Sequence, residues 1–217
     1  MLLRPPGVYR ADGDTRLLTH VLREGGYAVG CRVLDIGTGA GALALAAARA
    51  GAATVTAVDL SLRSVIATWI NSRLHRAPVT VHRGDLFAPV AGQQFDLIVA
   101  NPPYVPAATG VLPRHRISRC WDAGPDGRAV LDRICTEGPA LLNPNGMLLL
   151  VHSAVCDEDV TVSRLTDADL DVEVLTRATV PFGPVMRARV AMLEARGLVE
   201  PGQRDEELVV IGARRAR

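Results

Sequence analysis

Lysine is missing from this 217-residue sequence, and all 24 of its basic residues are arginine. Because 23 residues are acidic, the formal net charge is only +1, and the chain as a whole has no electrostatic attraction for nucleic acid. The densest local charge, RHRISR at 114–119, is interpreted either as a solvated loop or as a contact to a substrate. Stable DNA binding is therefore not expected, and the missing lysine indicates a GC-rich genome more than a function.

Long hydrophobic runs are missing as well. No apolar segment approaches the ~20 residues that cross a bilayer, and the N-terminal MLLRPPGVYRADGD lacks the apolar stretch of a secretory signal. Hydrophobic residues nevertheless make up 48% of the chain, which is enough for a sizeable core in one large domain. The expectation is a soluble cytoplasmic protein without a membrane partner.

Cysteine is scarce, and the four cysteines lie far apart at Cys31, Cys120, Cys135 and Cys156. No CxxC pair or Cys/His spacing typical of a zinc site occurs. The five histidines share no motif, and each is interpreted as a surface or core histidine. No metal is therefore expected in this protein.

Short β-rich runs that alternate with helical patterns are the main feature that is present. The runs interpreted as strands are 31–37, 54–61, 79–85, 95–103, 147–153, 171–180 and 205–214. The patterns interpreted as helices are 14–23, 41–51, 62–74, 127–142, 157–168 and 184–197, with NPNG at 143–146 as a turn. Such alternation is typical of an α/β protein with a doubly wound, mainly parallel sheet.

The alternation predicts a single domain over residues 1–217. Its parts are expected to be an N-terminal lid or helix segment at 1–26 and a Rossmann-like core at 31–214. Asp14 or Thr15 is expected to cap the first helix. Because the carboxyl ends of parallel strands meet at one edge of a sheet, a ligand site is predicted at that edge.

Glycine and acidic residues follow the first three strands. The segment DIGTGAG carries Gly37, Gly39 and Gly41, which allow a sharp turn from strand to helix and a close approach of a ligand to the backbone. Asp59 ends the second strand, where a carboxylate can accept both hydroxyl hydrogens of a ribose. Asp85 ends the third strand, where it can accept an adenine amino hydrogen. The pattern predicts an adenosine site.

The glycine pattern alone is also compatible with a dinucleotide. Gly37-x-Gly39-x-x-Ala42 satisfies the loose fingerprint, and Asp59 follows at a suitable distance, so a NAD(P)-dependent oxidoreductase is an alternative. Asp35, however, lies directly before the glycines, where it would repel a pyrophosphate and attract the ammonium group of an amino acid. Acidic residues at successive strand ends therefore favour S-adenosylmethionine, a cationic adenosine that carries an amino acid and no phosphate.

The fourth strand leads into the tetrapeptide NPPY. Pro102 restricts Asn101 to extended geometry, and neither Pro102 nor Pro103 has an N–H group. The Asn101 side-chain oxygen and the Pro102 carbonyl oxygen can therefore accept the two hydrogens of an NH₂ group and aim its lone pair at a methyl group. These bonds strengthen as positive charge grows on the nitrogen, and Tyr104 can stack on a flat amide or base. The tetrapeptide suits methyl transfer to a planar nitrogen.

The segments DIGTGAG, VDLS, GDLF and NPPYVP, in this order and spacing, resemble the class I methyltransferases. More narrowly, the chain is similar to the HemK-type glutamine methyltransferases, in the short form without an N-terminal helical domain. VYRADGDTRLL and WDAGPDGRAVLDR extend the similarity over nearly the whole chain, with departures at Ala11 and Gly13, where members usually carry proline and an acidic residue. The resemblance implies a seven-stranded Rossmann-like sheet with its last strand antiparallel, S-adenosylmethionine as cofactor, and the glutamine of a release-factor Gly-Gly-Gln loop as target.

The resemblance and the residue patterns together assign three sets of positions. The cofactor-binding set is Thr15, Asp35, Gly37, Gly39, Gly41, Asp59, Leu60, Asp85, Leu86 and Asn101, with Thr15 implied at the methionine end and Asp85 and Leu86 at the adenine. The substrate-binding set is Asn101, Pro102, Pro103, Tyr104 and Trp121. The catalytic set is Asn101, Pro102 and Tyr104.

Several alternatives stay open at the level of the sequence. The same chemistry serves adenine N6, cytosine N4 or a small-molecule amine, and a catalytically silent partner subunit could keep only the fold. Some short relatives in other lineages work with a small zinc-binding activator protein, so such a partner is a further hypothesis beside the release-factor substrate.

Overall fold

The structure, a computed structural model, describes residues 2–9, 12–111 and 117–216, except for the side chain of Ile117. Ala11 and most of the arginine-rich stretch, at 114–116, lie outside these residues. Within the described part of the chain, no helix combines the length and the apolar character that crossing a bilayer requires.

A seven-stranded sheet forms the centre of the molecule. The strands are β1 (Arg32–Ile36), β2 (Thr54–Asp59), β3 (Val79–Arg83), β4 (Phe95–Ala100), β5 (Leu142–Ser153), β6 (Leu170–Pro181) and β7 (Asp205–Arg215). They lie in the order β3-β2-β1-β4-β5-β7-β6, with parallel pairing from β3 to β5. β7 is antiparallel to both of its neighbours, so the predicted doubly wound sheet with an antiparallel last strand is confirmed.

Six α-helices accompany the sheet within the described residues. They are α1 (Gly13–Glu24), α2 (Ala42–Arg49), α3 (Leu62–Leu74), α4 (Leu131–Glu137), α5 (Glu158–Asp167) and α6 (Pro184–Ala195). Because successive side chains of a strand point to opposite faces, the sheet has two apolar clusters. One contains Leu34, Ile98 and Leu148 with Leu131 and Ile134 of α4. The other contains Val33, Leu97 and Leu149 with Leu18 and Leu22 of α1 and Leu43 of α2.

Three local predictions need correction. Helix α1 begins at Gly13 with Asp12 in the capping position, so neither Asp14 nor Thr15 is the cap. The helix expected at 127–142 is α-helical only over Leu131–Glu137 and continues as a 3₁₀ turn, which Pro139 favours because it has no N–H group. The NPNG segment is part of β5, where Asn145 has a φ of 61° and the pairing with β4 shifts register.

The segment that follows NPPY is held by backbone pairing and by α6. The Val105 N–H donates to the Trp121 carbonyl at 2.7 Å, and the Ala107 N–H donates to the Gly124 carbonyl at 2.8 Å. Arg189 of α6 donates to the Pro106 carbonyl at 2.8 Å and forms a 2.6 Å ion pair with Asp122. The loop at the end of β4 is therefore supported by contacts with residues 121–124 and with α6.

Replacing Gly127 by alanine is expected to lower the free energy of unfolding by about 2–4 kcal/mol. Gly127 has a φ of 79°, and a methyl group there would collide with the Tyr104 carbonyl oxygen and lie 2.6 Å from Cys156 Sγ. Urea unfolding measures the loss.

Gly30→Ala is the matched control for this variant. Gly30 has a φ of 70° but no atom within 4 Å of the added methyl group, so it carries the backbone strain without the collision. Its expected cost is about 1 kcal/mol. Equal losses of unfolding free energy in both variants would show that the packing beneath Tyr104 does not contribute to stability.

Candidate active site

The turn between β1 and α2 needs its glycines. Gly37, Gly39 and Gly41 have φ values of 74°, 59° and 85°, a region that side chains with a Cβ rarely adopt. A Cβ on Gly41 would also lie 2.9 Å from the Thr68 methyl group. The turn therefore leaves the backbone uncovered by side chains at the carboxyl edge of the sheet, where the sequence predicts a cofactor.

Asp35 is buried completely at the end of β1. Its Oδ2 accepts hydrogen bonds from the Thr38 hydroxyl at 2.6 Å and from the Ala44 N–H at 2.9 Å, whereas its Oδ1 is buried without a hydrogen-bond partner. Burial raises the pKa of Asp35 to about 7, against the opposing effect of these two hydrogen bonds. An ammonium group would give Oδ1 the donor that it lacks and would stabilise the ionised form, so the carboxylate fits the amino acid end of S-adenosylmethionine.

Asp59 ends β2 and bonds to the glycine turn. Its Oδ2 accepts from the Gly39 N–H at 2.9 Å, and its Oδ1 accepts from the Ser61 N–H at 2.7 Å. Burial raises its pKa, while these N–H groups and the nearby Arg119 guanidinium oppose that shift. Arg119 itself donates to the Ser61 hydroxyl, which brings the described end of the arginine-rich stretch beside the predicted ribose carboxylate.

The predicted adenine end differs from the expectation in two respects. Strand β3 ends at Arg83, two residues before Asp85, so Asp85 lies in the following turn. Its exposed carboxylate receives both hydrogen bonds from one Arg133 nitrogen, at 3.0 and 3.1 Å. Leu86, with a φ of 43°, packs against the apolar cluster on the α4 side, and Leu60 is 46% exposed. Adenine contacts for these residues stay predictions. The adenine amino group would have to share the Asp85 carboxylate with Arg133.

Asn101 directly follows β4 and is partly buried. Its Nδ2 donates to the Thr15 hydroxyl oxygen at 3.0 Å, so the structure brings together two positions that are 86 residues apart in the chain. Pro102 is buried and Pro103 is half-buried. Asn101 is therefore held at the carboxyl edge of the sheet and is not turned into the core.

Tyr104 is fixed at both ends. Its hydroxyl donates to Asp14 Oδ2 at 3.0 Å, its ring packs against the apolar cluster on the α4 side, and its carbonyl accepts from the Cys156 thiol at 2.8 Å. Burial and the neighbouring Asp14 raise its pKa well above the ordinary value. The hydroxyl is thus a neutral donor, and stacking of the ring on a substrate stays a prediction.

Asp14 and Tyr9 are site residues that the sequence analysis missed. The Tyr9 hydroxyl donates to Asp14 Oδ2 at 2.8 Å, and Asp14 is only 5% exposed. A second acid, Glu206 of β7, is buried close by; burial and the charge of Asp14 raise its pKa, and its Oε2 has no hydrogen-bond partner. The available signal for Asp14 was its place beside Thr15, but a polar residue at a helix start is also typical of a cap.

Most other residues singled out in the sequence lie apart from these contacts, with the exception of Cys156, whose thiol bonds to the Tyr104 carbonyl. Trp121 is half-buried, and its backbone carbonyl pairs with Val105, so its substrate role stays a prediction. His152 is a buried core residue whose pKa is lowered to about 4, chiefly by burial. The four cysteines are free thiols, and among the described residues no three His, Cys, Asp or Glu side chains are grouped to hold a metal.

Several solved structures with the same fold are described as methyltransferases. The E. cuniculi Mtq2–Trm112 complex, described as methylating the termination factor eRF1, has a TM-score of 0.67 at 22% identity and covers 97% of this chain and 99% of that one. A T. thermophilus 16S rRNA methyltransferase in complex with AdoMet and guanosine has a TM-score of 0.64 at 22% identity and covers 98% and 46%. At these identities the likeness defines the class I methyltransferase fold.

The chain belongs to the methyltransferase small domain family, whose pattern matches residues 2–112. It is 33% identical to a putative protein N5-glutamine methyltransferase of Methanocaldococcus jannaschii, over 83% of this chain and 90% of the relative. It is 44% identical to a ribosomal protein uL3 glutamine methyltransferase of Bradyrhizobium diazoefficiens, over 54% and 39%. It is 36% identical to a release factor glutamine methyltransferase of Geobacter sulfurreducens, over 67% and 53%. The chain thus spans nearly all of the archaeal relative but about half or less of the bacterial ones.

Membership of this family sets aside the oxidoreductase alternative and makes S-adenosylmethionine the cofactor. The residues present fit that molecule, since Asp35 offers an unpartnered buried oxygen, the glycine turn offers bare backbone, and Asp59 offers a carboxylate beside it. When bound, the cofactor supplies a methyl group on a positively charged sulfur. The protein supplies the acidic surroundings that favour that charge.

The ligand-free protein is expected to lose stability as the pH rises from about 4 to 7, because the pKa of Asp35 is raised from 3.8 to about 7. The unfolded chain releases this proton near pH 4 and the folded chain keeps it until about pH 7, so the folded state binds more protons in this window and its stability falls with pH. Asp35→Asn should remove this contribution, which is worth up to about 4 kcal/mol in full. Urea unfolding at about pH 5 and pH 7.5 should register about 2.5 kcal/mol of it.

Asp96→Asn is the control, because the pKa of Asp96 is shifted in the direction opposite to that of Asp35. The pKa of Asp96 is lowered by hydrogen bonds from the Arg32 N–H and the Asn143 amide, so its contribution is present above about pH 4 and is lost below it. A difference between Asp35→Asn and the parent that does not change with pH would contradict the assignment.

Proposed function

We propose that this protein transfers a methyl group from S-adenosylmethionine to the side-chain nitrogen of a glutamine in a protein substrate. The observation that carries the proposal is the place of Asn101, held by Thr15 at the carboxyl edge of the sheet beside the Asp35 and Asp59 turn. The names of the relatives support the same activity, since the archaeal and both bacterial proteins are described as glutamine methyltransferases.

The chemistry of a glutamine amide explains what the NPPY loop must do. The amide lone pair is delocalised, so the nitrogen is a poor nucleophile unless it is oriented. Asn101 Oδ1 and the Pro102 carbonyl can each accept one N–H of the amide, and both bonds strengthen as the nitrogen becomes positive. Well-oriented partners can lower the barrier by roughly 7–11 kcal/mol at best, so positioning can account for most of the catalysis.

A peptide release factor is the proposed substrate. The release-factor enzymes among the relatives support it, while the uL3 relative makes a ribosomal protein the nearest competitor. A radiolabelled methyl-transfer assay that compares release factor, uL3, DNA and small amines, followed by mass mapping of the product, decides among them. Methylation of DNA or of free amines without any glutamine product would overturn the proposal.

A small activator protein is proposed as a partner. The support is the Mtq2–Trm112 complex among the structures of the same fold and an exposed apolar surface on α3. That surface consists of Leu62, Ile66 and Trp69, which are 51%, 47% and 52% exposed and recur at helical spacing. Methyl transfer and thermal stability of the purified chain, measured alone and with a Trm112-type protein, test the need for a partner.

Asn101→Ala is expected to lower kcat for glutamine methylation by at least about 100-fold, because one of the two oriented acceptors is lost. Cofactor affinity, measured by calorimetry, should change by less than about threefold, since Asp35 and Asp59 are untouched. Asp59→Ala should do the reverse and weaken cofactor binding first.

Asn143→Ala is the matched control, because Asn143 lies near the start of β5 and bonds to Asp96 at the opposite edge of the sheet. It should leave turnover unchanged. Unchanged turnover in Asn101→Ala itself would remove the basis of the proposed chemistry.

A further inference from the structure

We propose that Asp14 and Thr15 form a relay that fixes the orientation of the Asn101 side-chain amide, so that its oxygen and not its NH₂ group faces the substrate. The proposal rests on the proposed function, because it concerns the acceptor that grips the target nitrogen. It assigns a positioning role to Asp14, and it assigns to Thr15 a role that does not depend on touching the cofactor.

The Asp14 carboxylate acts as an acceptor on both oxygens. Oδ2 accepts the Tyr9 and Tyr104 hydroxyls at 2.8 and 3.0 Å. Oδ1 accepts the Thr15 N–H at 2.6 Å and the Thr15 hydroxyl at 3.3 Å. Four donors converge on one buried carboxylate, so each neighbouring hydroxyl commits its proton to Asp14.

The Thr15 hydroxyl in turn determines which atom of the Asn101 side-chain amide faces it. A hydroxyl has a single proton, and when Thr15 donates that proton to Asp14, its Oγ1 can only accept from its other neighbour. That neighbour is the Asn101 amide at 3.0 Å, and its NH₂ group must therefore face Thr15. Amide orientation is assigned from such a network of donors and acceptors, and a Thr15 hydroxyl that donates to Asp14 favours the orientation with the Asn101 NH₂ group facing Thr15.

The orientation decides whether the site can grip its target. With Nδ2 on Thr15, Asn101 Oδ1 lies on the other side of the amide and can accept an N–H of the incoming NH₂ group. In the reversed orientation two NH₂ groups would face each other, and the developing positive charge would meet donors instead of an acceptor. The relay therefore selects the productive state before substrate arrives.

The test compares Thr15→Val, which removes only the hydroxyl, with Thr15→Ser, which restores it. Thr15→Val should lower kcat at least about tenfold, with the peptide KM and the cofactor Kd within about twofold of the parent. Thr15→Ser should recover most of the loss. Thr19→Val is the matched control, because Thr19 lies one turn further along α1 and undergoes the same chemical change.

The Asp14 step is tested by a second pair of variants. Asp14→Asn keeps an oxygen that can accept from Thr15, whereas Asp14→Ala does not. Asp14→Asn should therefore retain more turnover than Asp14→Ala at equal cofactor affinity. Equal losses in the two Asp14 variants, or in Thr15→Val and Thr15→Ser, would overturn the relay, as would a kcat loss in Thr15→Val matched by the same loss of cofactor affinity.

A measurement that needs no substrate separates this proposal from the proposed function. The side-chain NH₂ resonances of Asn101, assigned by their loss in Asn101→Ala, should show slowed hydrogen exchange in the parent and in Thr15→Ser. Exchange should be faster in Thr15→Val and unchanged in Thr19→Val. If the parent methylated no glutamine but showed this pattern, the proposed function would fail and the relay would stand; unprotected NH₂ hydrogens in the parent would overturn the relay whatever the substrate.

Discussion

Burial of carboxylates at one edge of the sheet is the constraint on which the rest of the site depends. Asp14, Asp35 and Glu206 are each less than a tenth exposed, and Asp59 is partly buried beside them. A carboxylate removed from water must find hydrogen-bond donors or lose its charge. The chain supplies full sets of donors to Asp14 and Asp59 but leaves one oxygen of Asp35 and one of Glu206 without any. Asp14 and Asp59, whose oxygens all have donors, stabilise the scaffold. Asp35 has one oxygen without a donor, which a cationic ligand could supply.

The NPPY loop shows why these donors matter for geometry. Asn101 and Tyr104 are tied to α1 through Thr15 and Asp14, while the segment beyond them pairs with 121–124 and is gripped by Arg189 of α6. The loop is therefore braced by parts of the chain that are distant in sequence. An acceptor whose orientation is set in advance needs no reorganisation at the moment of reaction, which is the condition for strong electrostatic stabilisation.

The sequence predicted what depends on local pattern. The strands, the parallel edge and the glycine turn follow from periodicity and from backbone conformations that only glycine adopts readily. The extended geometry predicted for Asn101 follows from Pro102, the proline directly after it. It missed the contact of Tyr104 with Asp14 and the contact of Asn101 with Thr15 because these span 90 and 86 residues. It also missed the Arg133 bond to Asp85, since a helix reaching back 48 residues leaves no periodic signal. The shorter α4 was predictable in principle, because glycine at 127 and proline at 139 both oppose a continuous helix. The structure accordingly has Gly127 at a φ of 79° and a 3₁₀ turn at Pro139.

The buried acids couple cofactor binding to stability. Burial raises the pKa values of Asp35, Asp59 and Glu206 alike, so ionisation of each carboxyl is less favourable in the folded protein than in the unfolded chain and opposes folding. A scaffold selected only for stability would replace such groups with apolar ones. Their presence makes sense if a cationic ligand compensates for the hydration that the buried carboxylates lose, since a ligand that binds only the folded state stabilises it. The cost of burying these carboxylates thus destabilises the ligand-free protein and favours binding of a positively charged methyl donor over a phosphate-bearing nucleotide. The glycine turn alone does not impose this preference.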